Sequence, residues 1–479
     1  MKFYSIKEGK FQIDLDSVVK YLSRHGFYKY EVNNNQIWIV KVDGKVVKKF
    51  EPEAIYNFLL DRANTEKYNL AQYRITAIDR LTKMRGRIIA NITVLLPSFN
   101  GEFYTDNKHH GYMIYKNLIL TVTKESITHV TIKDAEKFIW EHSIIARNIK
   151  IPLRKSVHDS DSPFYSFLSV ISTKDGEDGL QSLISIFGFL LHTYKDKTFA
   201  KAVIIYDKNI NIPDPNGRSG KSLFVSALKH LRATEIEDGK KLNPKNQFSF
   251  SRAKSHPKIF IIDDVKRNYP FDELFTQITS DFVYERKSID RDFIPFEISP
   301  KLVLTSNYDI LGMNHSHRDR RIEYVIDNYF DADYKPLDFF EKELFDGWDE
   351  DEWNAFDQFG ALALQFYLQN GIIEQEPSKL YYLLMRNTSE EFIMYADQLE
   401  PLIRYNLSDS YESFKLTYSR LPFLHQNTFT RWLKMYCDYK NWNLVETHSN
   451  RTKFIQFTEK PTRQDRPIQK INEAEATKS

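Results

Sequence analysis

The sequence predicts a multidomain protein built around an α/β domain with a parallel sheet, and three features lead there. From residue 202 to about 330, apolar runs of strand length alternate with helical patterns, the order that parallel strands and their crossovers require. The runs at 202–206 (AVIIY) and 258–265 (KIFIIDDV) are nearly continuous in apolar residues, as buried strands are. Between the first run and a helical stretch at 223–231 lies a glycine-containing loop, residues 215–222 (PNGRSGKS).

The rest of the chain divides around this centre. Residues 16–24 carry apolar positions at helical spacing, and 27–32, 36–42 and 45–50 read as short strands joined by turns at Asn33-Asn34-Asn35 and Asp43-Gly44. A strand-rich patch at 111–123 and a helix at about 133–142 follow, so residues 1–155 are expected to form an N-terminal α+β accessory region. Helical spacing from 162 to 197, broken by the acidic turn DGEDG at 175–179, predicts a helical collar over 156–200. The α/β core takes 201–335. An acidic connector at 346–352 leads into an amphipathic helix at 353–370, stopped by Gly371, within a helical region over 336–420. Asn427 is placed to cap a helix running to Tyr439, and 441–446 and 453–457 are candidate strands, so 421–459 is expected to be a winged-helix-like domain. The polar tail, 460–479, is expected to be disordered.

Composition narrows the class. The 479 residues are 42% hydrophobic and 28% charged, an ordinary globular balance. Lys and Arg number 67 against 65 acidic residues, so any nucleic-acid contact has to come from local clusters. The single cysteine, Cys437, excludes an internal disulfide framework and a cysteine-rich zinc site; it fits a reducing cytosol and reads as a buried helix residue. No apolar stretch reaches the roughly 18 residues of a membrane span. The start MKFYS carries no apolar signal core, so the expected location is the host cytoplasm.

Strand, glycine loop, Lys221, Ser222 and helix stand in the order of a phosphate cradle. Asn216, Gly217, Arg218, Ser219, Gly220, Lys221 and Ser222 are the expected nucleotide-binding set. Lys221 reaches the β and γ phosphates of ATP and the Ser222 hydroxyl holds Mg²⁺. One departure stands out: Pro215 occupies the first glycine position of the usual pattern, and Asn216-Gly217 beside it supplies the turn. A phosphate loop needs a metal-binding acid, and the strand at 258–265 delivers Asp263 and Asp264 at its end. Asp263 would hold Mg²⁺ directly or through water; Asp264 would orient or deprotonate the attacking water. A third strand, 301–306 (KLVLTS), ends in Asn307, an amide placed to sense the γ-phosphate.

With PNGRSGKS, IIDD at 261–264, RKSIDRDFIPFEISPKLVLTSN at 286–307 and RDRRIEYVIDNYF at 318–330, the chain resembles superfamily 3 helicases, and among them the phage and mobile-element primase-helicases. The likeness spans roughly 164–330. It implies a P-loop AAA+ ATPase core that forms a homo-oligomeric ring, usually a hexamer, and translocates on single-stranded DNA, with replication partners such as a primase. It also implies a DNA-gripping hairpin, here strands 282–287 and 293–298 with the turn 288–291, whose Arg286, Lys287 and Arg291 would contact phosphates. An arginine finger is implied in the cluster 318–321; Arg321 is the first candidate and Arg320 the reserve.

The outer regions say less. Asp14-Leu15-Asp16 is the one obvious acidic pair near the start, and it sits where a helix N-cap belongs, which speaks against a priming centre. His109-His110 lacks further ligands at metal spacing. Thr430, Arg431, Lys434 and Lys440, with Arg451 and Lys453, could place the C-terminal domain on duplex phosphates. Two functions remain open: an ATP-driven helicase, or an ATP-dependent DNA-assembling switch or loader that unwinds nothing.

Overall fold

The computed structural model describes the chain except residues 1–2, 8–9, 34–35, 66–70, 173–177, 208–218, 247, 267–268, 287–288, 309, 311–316, 318, 328, 332, 375–383, 386, 419–423, 441, 450–451 and 460–479. The expected disordered tail, the acidic turn at 175–177 and most of the phosphate loop therefore lie outside the described residues.

The N-terminal part opens with α1 (Leu15–Arg24), where Asp14 caps the helix by accepting from the Ser17 backbone N–H at 2.8 Å, as its position implied. Strands β1 (Phe27–Asn33), β2 (Gln36–Asp43) and β3 (Val46–Phe50) form an antiparallel meander. Two helices not anticipated from the sequence follow, α2 (Pro52–Thr65) and α3 (Ala71–Leu95). Their apolar positions were legible: Ile55 and Leu59 on one, Ala77, Leu81, Ile88 and Ile92 on the other, recur at helical spacing and are fully buried against the meander.

A second antiparallel set, β4 (His110–Tyr115), β5 (Leu118–Thr123) and β6 (Ile127–Thr131), matches the strand-rich patch. The helix expected at 133–142 does not form. Ala135 and Ile139 are buried at helix-like spacing, but the backbone there is claimed by neighbouring chain: Phe138 N–H donates to Glu102 at 2.7 Å and Ile139 N–H to Lys45 at 2.8 Å. Its end is a short strand instead, β7 (Ile139–Trp140), parallel to β3.

The central sheet has five strands, all parallel: β8 (Ala202–Asp207), β9 (Thr234–Asp238), β10 (Ile259–Val265), β11 (Lys301–Ser306) and β12 (Arg321–Ile326), in the spatial order β9-β10-β11-β8-β12. Chain order reverses at β8: the next strand lies on one side, the last on the other. Such a reversal opens a crevice at the carboxyl ends of the strands, where ligands of open α/β sheets bind. Helices α4 (Pro163–Ile171), α5 (Asp178–Leu191) and α6 (Lys221–Leu228) pack on one face together with α7 (Glu350–Asn370). Expected to be amphipathic, α7 is buried on all sides from Phe356 to Leu364. Phe164 of α4 packs against Phe187, Phe356 and Phe359, so one aromatic core ties these helices to the sheet.

The hairpin expected after the double acid is present as β13 (Phe282–Arg286) paired antiparallel with β14 (Ile289–Ile294). Its second strand starts four residues earlier than residue 293: Ile289-Asp290-Arg291 is strand, not turn, and Phe296–Ile298 is a short 3₁₀ turn. The C-terminal unit holds α8 (Leu407–Thr417) and α9 (Gln426–Lys440) against a three-stranded antiparallel sheet in the order β15 (Arg404–Asn406), β17 (Thr452–Glu459), β16 (Trp442–Ser449). The helix begins at Gln426, one residue before the expected cap, and Cys437 is buried on it. Among the described residues no helix is long and apolar enough to cross a membrane.

Close helix contact in the aromatic core rests on Gly188. A Cβ there would lie 2.1 Å from the Ala363 carbonyl oxygen, so α5 and α7 meet backbone to backbone. Gly188→Ala is expected to cost about 1–3 kcal/mol through overpacking. Gly86→Ala, in open space on α3, should cost nothing and gain about 0.5–1 kcal/mol. Denaturant midpoints of the two variants check the pair; equal midpoints would refute the close crossing.

Candidate nucleotide site

The functional side chains gather at the carboxyl edge of the sheet. Strand β8 ends in Asp207, β10 carries Asp263 and Asp264 just before its last residue, Val265, and β11 is followed by Asn307. Helix α6 starts at Lys221 immediately after Gly220, whose φ of 103° and closeness to Phe167 of α4 explain the glycine: a Cβ would sit 2.8 Å from that ring.

Lys221 is buried, and its ammonium donates to the Asp207 carboxylate and, at 2.7 Å, to the Asn307 side-chain oxygen. Asp207 also accepts from the Ser219 hydroxyl. The Asn307 amide nitrogen donates in turn to Asp264 at 2.9 Å, so one amide joins the lysine to the second acid. Ser222 donates its hydroxyl to Asp263, with both carboxylate oxygens within 3.1–3.2 Å. Thr305, on the adjacent strand β11, donates to Asp263 at 2.5 Å and accepts from the Asp264 backbone N–H at 2.7 Å.

Backbone geometry sets the two acids apart. The β10–β11 register shifts between Ile262 and Val265, and Asp264 adopts φ of 56°, a left-handed conformation uncommon for a side-chain-bearing residue. The bulge lets Asp263 turn toward Ser222 while Asp264 turns toward Asn307. Lys240 closes the far side with an ion pair to Asp264 at 2.5 Å, and that carboxylate raises the lysine's pKa.

Of the expected residues, the structure brings together Ser219, Gly220, Lys221, Ser222, Asp263, Asp264 and Asn307. Asn216, Gly217, Arg218 and Lys287 lie outside the described residues, as do the side chains of Arg286 and Arg291. Arg321 stands elsewhere. It pairs in register with Ala202 at the amino end of the sheet, is 7% exposed, and forms an ion pair with Glu323 at 3.2 Å while donating to the Ile310 carbonyl at 3.1 Å. Arg320, half-buried, lays its guanidinium 4.7 Å over the Phe275 ring.

Three participants were missed by sequence reasoning: Asp207, Thr305 and Lys240. Asp207 had a signal, an acid directly after an apolar strand and before the loop. Thr305 and Lys240 had none, since a threonine inside a strand and a lysine after a turn are ordinary there.

The donor set fits Mg²⁺ with a nucleotide: Ser222 and Asp263 are hard oxygen donors facing each other, and α6 presents its N-terminus and Lys221 to an anion. Thr305→Val removes the group that orients Asp263. It is expected to lower nucleotide hydrolysis by about 10–100-fold, as loss of outer-shell partners does, and to raise the Mg²⁺ concentration for half-maximal rate. An unchanged Mg²⁺ dependence would detach Asp263 from metal binding.

No family model and no curated protein matches the chain. Among solved structures it is similar to JCV helicase, crystallised with a substituted phenyl-acetamide, at 14% identity and a TM-score of 0.27 over 49% of this chain and 63% of that one. It is also similar to Drosophila ORC bound to DNA, at 9% identity and a TM-score of 0.18 over 65% and 92% of the two chains. The chain thus spans less than two thirds of the JCV helicase chain, and likenesses this distant carry no weight beside the site geometry.

Proposed function

We propose that the chain is an ATP-hydrolysing DNA motor that works as a homo-oligomeric ring, on the pattern of superfamily 3 helicases. The observation that carries this reading is the convergence of Lys221, Ser222, Asp263, Asp264 and Asn307 at the switch point of a parallel sheet. Lys221 and the α6 N-terminus hold the phosphates; Ser222 and Asp263 hold Mg²⁺, which neutralises charge on the transferring phosphoryl group. Asp264, fixed by Asn307 and Lys240, orients the attacking water and accepts its proton. Because Asn307 bonds both Lys221 and Asp264, the groups that bind phosphate and prepare the water move together. The β13–β14 hairpin, whose strands carry Arg286 and Arg291, is the proposed DNA contact together with Lys287, and C-terminal basic residues such as Arg431 are a proposed second contact on duplex phosphates.

The arginine finger is better assigned to Arg320 than to Arg321. A finger has to extend into a neighbouring subunit, and the burial of Arg321 with its Glu323 partner supports a structural role for it. Arg320→Ala is expected to remove hydrolysis by about 10³-fold or more with an unchanged melting temperature. Arg321→Ala should instead lower the melting temperature, because removing one partner of a buried ion pair costs about 3–5 kcal/mol. The reverse pattern would restore Arg321 as the finger.

Single-stranded DNA is expected to stimulate ATP hydrolysis, the protein to open a forked duplex, and Lys221→Ala to abolish both. Particle images should show six-fold rings. Hydrolysis indifferent to DNA, with no fork opened, would sink the motor and leave a DNA-assembling switch.

A further inference from the structure

A second cavity of about 520 Å³ lies between the β1–β2–β3 meander, β4 and the segments that lead into β9 and β10, where Lys229–Ala233, His256 and Lys258 line it. None of Lys221, Asp207, Asp263 or Asn307 lines it, so it is separate from the nucleotide site. Its volume falls in the roughly 300–1,000 Å³ range of small-molecule pockets.

One wall is aromatic. Phe103 and Trp140 stack at 4.2 Å with planes 2° apart, and Trp38 and Tyr30 meet Trp140 edge to face at 5.7 and 5.4 Å. Beside Trp38 stands His256, 8% exposed and 4.7 Å from the Trp38 ring. Trp38 Nε1 and His256 Nδ1 are buried and lack a hydrogen-bond partner among the described residues. Buried polar atoms are nearly always satisfied, so two orphans on one cavity wall indicate a ligand that completes them. His256 holds φ of 54° as the left-handed residue that ends the 3₁₀ turn Ser251–Ser255, its backbone N–H donating to Ala253, which fixes its ring at the cavity. Burial, reinforced by Lys49, pushes its pKa down to about 4, so near neutral pH the ring presents one donor and one acceptor.

The charge of the cavity selects the ligand class. Asp106 is its one carboxylate among the lining residues, and both its oxygens are occupied by the backbone N–H groups of Tyr112 and Thr193. Arg232 donates to the neutral carbonyls of Leu191 and Tyr112, and burial pushes the Lys258 pKa down against the pull of the Asp106 charge, so an anion in the cavity would favour its charged form. Lys229, Arg232 and Lys258 outnumber the one lining carboxylate, Asp106, whose charge reaches both Arg232 and Lys258, and an aromatic wall beside this excess of cations repels an alkylammonium and suits a flat ring that carries negative charge.

We propose that this cavity binds a nucleobase carrying a phosphate, with the base against the Trp140 wall, its edge bonded by Trp38 Nε1 and His256 Nδ1, and its phosphate at Lys258. A free nucleotide and a base of a single strand share that chemistry. The aromatic platform with adjacent cations is the arrangement by which single strands are held without sequence preference.

Photocrosslinking of the full-length chain separates the two sources. The probes are 8-azidoadenosine 5′-monophosphate and a short oligodeoxynucleotide containing 5-iododeoxyuridine, with crosslinked residues mapped by mass spectrometry. Attachment at Tyr30, Trp38 or Trp140 is expected; if the monophosphate attaches, the ligand is a free nucleotide, and if the oligonucleotide alone attaches, it is a strand. Trp140→Ala should weaken binding of the attaching probe by about tenfold, Lys258→Gln should weaken it in a chain with its aromatic wall intact, and Trp140→Phe should largely retain it. Neither probe reaching these residues, or a normally folded Lys258→Gln binding both probes as the parent does, overturns the proposal. Loss of ATP hydrolysis in either variant bears on the motor alone, because crosslink position is read without turnover.

Discussion

A buried ammonium has to find acceptors, and the candidate site is organised around how Lys221 does so. Removing a lysine from water costs several kcal/mol unless its charge is paired and hydrogen-bonded. Asp207 and Asn307 supply both, and each is available only because β8 and β11 lie side by side and end at the same level. Parallel order is what allows this: every strand runs the same way, so the residues that follow each strand share one edge. The lysine therefore depends on sheet topology as much as on its own loop.

The packing behind the sheet holds that edge in place. Phe167 of α4 lies over Gly220, and the Asp327 backbone N–H donates to the Ile171 carbonyl at 2.9 Å, so α4 is tied to both the loop and the end of β12, the last strand of the central sheet. Gly188 lets α5 meet α7 at backbone distance, and Phe164 fills the junction. Elements distant in sequence thus share one core with the residues that would meet phosphate, and rigidity at the edge comes from helices the motif itself does not contain.

How much was legible follows from this arrangement. Buried parallel strands are mostly apolar, so β8, β10 and β11 could be read directly, with the polar residues at or after their ends. The Asp14 cap was readable because its signal is local. Features that depend on a distant partner were not. The 133–142 segment has helical spacing, yet its N–H groups are taken by Glu102 and Lys45, which no local pattern reveals. Arg321 reads as an exposed finger beside a strand until Glu323 and Tyr206, whose hydroxyl donates to Glu323 at 2.9 Å, place it in a buried network. Thr305 looks like any strand threonine until the bulge at Asp263-Asp264 brings two acidic residues to it.

The same bonds set how binding would be felt across the site. For Lys221 to turn toward a phosphate, its contact with Asp207 has to weaken, and Asp207 would then keep Ser219 as its remaining partner at the strand end. An uncompensated buried carboxylate is costly, so the ammonium leaves Asp207 only for a ligand that attracts it more strongly, a condition that a multiply charged phosphate meets and a weak anion does not. Asn307 accepts from Lys221 at one end and donates to Asp264 at the other, so any shift of the lysine pulls on that amide. A phosphate that draws Lys221 away would therefore act on Asp264 through a single amide.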